Sequence, residues 1–170
     1  HISHSDGRVE QISLPDYRYC WLTFFSHAAD KGREVMLEYN ERAAVSRLLI
    51  PAILKGAKDG KTPKTITLDE VERLYPQVFR ECEREFPELV RERRSHPLEL
   101  RNRMLHHEGE AARVESAVMR LRHDKEDDEK MRGIGVMMRF SHESLRRFYG
   151  VSTPQVERLI KIINSDPQVY

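Results

Sequence analysis

Three groups of residues carry side chains that could do chemistry. Ser141, His142 and Ser144 place hydroxyls beside an imidazole, the ingredients of nucleophilic catalysis. His106, His107, Glu108 and Glu110 gather imidazoles and carboxylates, the ingredients of a metal site. Arg91, Arg93, Arg94, Arg101 and Arg103 gather guanidiniums that could meet phosphate. Spacing argues against each. Neighbours on a helix point about 100° apart, so Ser141 and His142 make a poor nucleophile–base pair. These two and Ser144 are expected to cap, pack or bond the chain beyond them. A zinc-binding helix needs His at i and i+4, and the residue four after His107 is Ala111, so structural or surface histidines are expected. The arginines are interleaved with Glu92 and Glu99 and have no adjacent aromatic residues for stacking. They read as a solvated helix face with i,i+4 pairs rather than a nucleic-acid surface. No catalytic residue and no metal ligand is assigned.

Composition sets wider bounds. The 29 basic and 28 acidic residues nearly cancel, which gives no electrostatic case for nucleic acid or an anionic membrane. No apolar run approaches the roughly 20 residues that span a bilayer, and no signal-peptide pattern opens the chain. Cys20 and Cys82 stand apart from any metal-ligand spacing and read as ordinary thiols of a reducing, cytoplasmic setting. The start at His1, without an initiator Met, points to processing or cropping, so His1 and His4 are not read as ligands.

The elements that must position these residues emerge from periodicity. Val9, Ile12 and Leu14 alternate with polar residues, Pro15-Asp16 signals a turn, and Tyr17 to Phe25 is aromatic and β-favouring. Two strands are expected, possibly a hairpin, the second buried on both faces. From about Arg33 the period becomes helical through Val35, Met36, Tyr39, Ala43, Leu48, Leu49 and Ile53, with a kink or boundary at Pro51. Lys55 to Lys64 is a polar loop, and Thr67-Leu-Asp-Glu70 is a capping box opening a short helix to Tyr75. A helical stretch from Val78 to Arg94 is interrupted at Pro87. The longest helix is expected from about Leu98 to Arg122, its core face Leu100, Met104, Leu105, Ala111, Val114, Val118 and Leu121. Met131, Met137 and Met138 read as core fillers. A further helix ends at Tyr149-Gly150, and Ser152 is the candidate N-cap of a last helix at Pro154, with Glu157 near its positive end. The sum is a helix-dominated α+β chain: one domain over residues 1–170, with a short N-terminal strand pair followed by five or six helices.

One segment is worded more specifically than a helix requires. Gly135-x-x-Met138, Ser141-His-x-Ser-Leu-Arg146 and Tyr149-x-Val-Ser-x-Pro154 closely resemble a segment of galactokinases, the sugar-1-kinase branch of the GHMP small-molecule kinases. His106, Glu110, Arg113 and Val114 match the spacing of an upstream helix of that family. Phe24-Phe25-Ser26-His27 and Tyr39-Asn-Glu-Arg42 look similar to a strand end and a helix start. The resemblance implies the central-to-C-terminal portion of a kinase that uses ATP and Mg²⁺ to phosphorylate the anomeric hydroxyl of a monosaccharide. It implies that the Tyr39 hydroxyl contacts the sugar. From the residues alone, Tyr39 is a half-buried helix tyrosine packed on the strand pair.

The chain departs from that family at Ala43, Ser26, Leu105, Arg147 and Phe148, so an arabinokinase, a galacturonokinase or another sugar-1-kinase is nearly as compatible. The family's phosphate loops are glycine-rich because a backbone cradle excludes side chains. The glycines here are dispersed, and the resemblance places both loops and the catalytic Asp outside residues 1–170. No cofactor is therefore expected on this chain alone, and its partner is the remainder of the kinase fold. The alternative is a non-catalytic sugar-sensing or protein-interaction module on the same scaffold.

Overall fold

The structure, a computed structural model, describes residues 2–3, 9–14, 19–20, 22–26, 32–56, 62–124, 126–167 and 169. The expectations for Tyr17, Trp21, His27 and the Pro15-Asp16 turn lie outside them, as does the middle of the Lys55–Lys64 loop, residues 57–61. Contacts group the chain into two compact units. One is Ala28–His107 with Arg147–Tyr149; the other is His1–His27, Glu108–Arg146 and Gly150–Tyr170.

Pro51 shapes the first. Helix α1, Arg33–Ala44, runs through a wider π turn at Val45–Leu49 into α2, Ile50–Gly56. Proline lacks an N–H and its ring clashes with the carbonyl four residues back, here that of Arg47. The chain answers by opening one turn: the Ile50 N–H bonds the Val45 carbonyl, five residues earlier.

Prolines also divide the next stretch of chain. After β3, Thr65–Ile66, come α3, Leu68–Leu74, α4, Pro76–Glu85, and α5, Pro87–Arg93. Pro76 and Pro87 each start a helix, and the residues before them, Tyr75 and Phe86, leave helical geometry at φ −137° and −133°. The Thr67 capping box is present: the Glu70 N–H donates to Thr67 Oγ1 at 3.2 Å, and the Thr67 N–H donates to Glu70 Oε2 at 2.8 Å. Leu68, Val71, Phe79, Cys82, Phe86, Leu89 and Val90 point inward and meet Ala44, Val45, Leu49, Ile50 and Ile53. These buried side chains form the core of this unit.

Leu98–Glu99 is a strand, β4, paired antiparallel with β3 (Thr65 opposite Glu99, Ile66 opposite Leu98), not the first turn of the long helix. Pairing two short segments far apart in sequence leaves no local periodic signal. Helix α6 therefore begins at Leu100 and runs to His123.

The other unit holds β1, Ile2–Ser3, and β2, Val9–Glu10, which pair antiparallel. It also holds the later part of α6, all of α7, Asp127–Ser144, and α8, Pro154–Ile163. The strand pair exists, but its register corrects the expectation. Val9–Glu10 pairs upstream, while Leu22–Ser26 is irregular and exposed, with Phe25 84% exposed. An apolar β-favouring run becomes a strand only where another strand meets it. Gly133 on α7 is a packing glycine, since a Cβ there would collide with the Arg120 stem from α6. Met131 is buried as expected, whereas Met138 is 59% exposed and fills no core.

Candidate functional site

The polar chemistry of the first unit centres on Glu41 of α1. Its carboxylate is buried, yet it accepts from Arg93 Nη1 at 3.1 Å and lies 3.8 Å from Arg103 Nη2. A buried carboxylate survives only where cations and hydrogen bonds replace water, and α5 and α6 each supply one. Arg93 also reaches Glu34 at the start of α1. This corrects the reading of Arg93 and Arg103 as a solvated face: their side chains are 14% and 9% exposed.

Arg103 does more than neutralise Glu41. Its Nη1 donates to the Phe148 carbonyl at 2.7 Å and to the Tyr149 carbonyl, and Arg42 Nε donates to the latter at 2.9 Å. These carbonyls belong to a second π turn, Leu145–Tyr149, that ends α7. Helix C-termini leave carbonyls unsatisfied and carry partial negative charge, so two guanidiniums are suitable caps. The Tyr149 ring stacks on buried His106 with centroids 4.4 Å apart, and Arg103 lies 5.5 Å from the same ring. Burial, and then the neighbouring Arg42, pull the Arg103 guanidinium below its ordinary value. Arg103 Nε has no hydrogen-bond partner among the described residues. The buried positions of α6 are Leu100, Arg103 and His106, so the inward stripe is largely polar. Of the apolar stripe expected there, Leu105 and Val114 are exposed.

Gly150 then turns the chain with φ +68°, in the left-handed region, and the Val151 N–H returns to the Leu145 carbonyl at 3.2 Å. Thr153, not Ser152, caps α8: its Oγ1 accepts from the Val156 N–H at 3.3 Å. Pro154 occupies the first helical position, which puts the cap one residue later than expected.

In the other unit, Ser141 Oγ donates to Glu110 Oε2 at 2.9 Å, while Arg113 holds Glu110 Oε1 at 2.6 Å. His142 Nε2 is buried and lies 3.2 Å from Glu157 Oε1 without a hydrogen bond among the described residues, while that oxygen accepts from Ser152 Oγ at 2.5 Å. Ser141 and His142 thus lie beside different carboxylates, and no hydrogen bond joins the two as nucleophile and base among the described residues. Ser144 is buried. His107 Nε2 lies 2.6 Å from Ser46 Oγ in the first unit. No group of three or more His, Cys, Asp and Glu converges for a metal among the described residues.

Tyr39 is 68% exposed, not half-buried. The open groove of about 450 Å³ lined by Arg120, Asp124, Glu129, Arg132, Gly133 and Val136 contains neither Tyr39 nor any motif serine or histidine. Arg103 and Glu41 were missed as a buried pair. The signal for Arg103 was present, since it falls three residues from both Leu100 and His106 on one helix face. No family model matches the chain, and neither curated proteins nor solved structures give a match. No described helix is long and apolar enough to cross a membrane.

Proposed function

We propose that this chain is the central-to-C-terminal part of a galactokinase-like sugar-1-kinase of the cytoplasm. The complete fold would use ATP and Mg²⁺ to phosphorylate the anomeric hydroxyl of a monosaccharide. One observation supports this reading above others: residues of the two matched segments partner each other. His106 stacks on Tyr149 within one unit, and Glu110 takes the hydroxyl of Ser141 within the other. Residues spaced like a kinase motif are here joined as a framework, which is the part such a motif plays when the chemistry is supplied elsewhere.

Phosphoryl transfer depends on positioning and on electrostatic stabilisation of the transferring group. In this proposal the glycine-rich loops and the catalytic Asp of the remaining fold supply both. The present chain contributes the scaffold and Tyr39, whose exposed phenol is free of the core and suited to a sugar hydroxyl. The test is sugar-dependent ADP release by the chain within its full reading frame, across hexoses, pentoses and uronic acids. Turnover with one of them is expected. Tyr39→Phe should raise KM about tenfold and leave kcat nearly unchanged, as for loss of one hydrogen bond made equally in ground and transition states. Absence of turnover with every sugar overturns the proposal. If calorimetry then finds sugar binding without nucleotide binding, the sensing module replaces it.

A further inference from the structure

We draw no further inference here: the strongest candidate, the patch of exposed apolar side chains Leu22, Phe24 and Phe25 in the irregular segment Leu22–Ser26, carries nothing because nothing in the structure shows what covers it.

Discussion

The two units are built from helices of similar composition but are held together differently. In Ala28–His107 with Arg147–Tyr149, short helices cut by prolines turn their apolar faces toward one another, and Leu49, Leu68, Leu89, Leu98 and Leu100 are fully buried. The other unit has longer helices, yet Met119, Met138, Phe140 and Ile162 all stand more than half exposed. Its described cross-contacts include polar pairs such as Ser141–Glu110. Helix length therefore does not measure how firmly a region is anchored. Burial of apolar area does, at roughly 25 cal/mol per Å².

The sharpest way to break this contrast is to remove Glu41. Glu41→Ala leaves Arg93 and Arg103 without their shared buried carboxylate, and a loss of about 3–5 kcal/mol is expected in denaturant unfolding. A loss below about 1 kcal/mol would mean that the pair is solvated and the core alone holds this unit.

Leu98→Ala should come next, at about 3 kcal/mol, because it opens a cavity under β4. A thiol reports the same opening. Burial pushes the Cys82 thiol up to about 11, with Glu81 and Glu85 adding to the shift. At pH 8 an alkylating reagent should therefore modify exposed Cys20 and spare Cys82 until this unit opens. Leu98→Ala should accelerate Cys82 labelling roughly a hundredfold, each 1.4 kcal/mol being about a factor of ten.

Acid should loosen the first unit at α3. Ser95 and then Arg94 hold Asp69 below its ordinary value, the Thr67 N–H and then its hydroxyl hold Glu70 below its own, and Arg33 does the same for Glu92. All three are depressed in the folded state. Their contribution is thus complete above the ordinary values of 3.8 and 4.5 and is withdrawn as pH falls through the folded ones. Amide exchange in α3, corrected for its intrinsic pH dependence, should rise below about pH 4. Thr67→Ala should cost about 1 kcal/mol and flatten that rise.

The smallest effects should come from Val114→Ala and Met138→Ala. Both side chains are largely exposed, and each change should stay within about 0.5 kcal/mol. A loss near that of Leu98→Ala would erase the distinction between the units.

What the sequence made legible was local. Thr67 and Glu70 satisfy each other three residues apart, so the α3 cap could be read directly. Pro87 marks a helix break and Pro51 a local distortion, for steric reasons that need no partner. The misreadings share a different cause. Leu98–Glu99 is a strand because Thr65–Ile66 lies opposite, Leu22–Ser26 is not one because no strand pairs with it among the described residues, and Arg103 is buried because Glu41 waits on another helix. At the candidate site, the residues worth watching were visible by type, but which carboxylate each would meet was not. Ser141 bonds Glu110 and His142 comes to lie beside Glu157, neighbours set by tertiary packing.

The π turn at Val45–Leu49 has a consequence for phase. Leu37 and Ile53 are both buried, yet in an uninterrupted α-helix, at about 100° per residue, they would face roughly 160° apart. The added residue winds the two halves back toward step, so that one side of a continuous rod carries Leu37 and Glu41 as well as Leu49 and Ile53. Deleting Ser46 would leave composition almost untouched and rotate Glu41 away from the arginines, converting a matched pair of half-rods into two that disagree about which way is in.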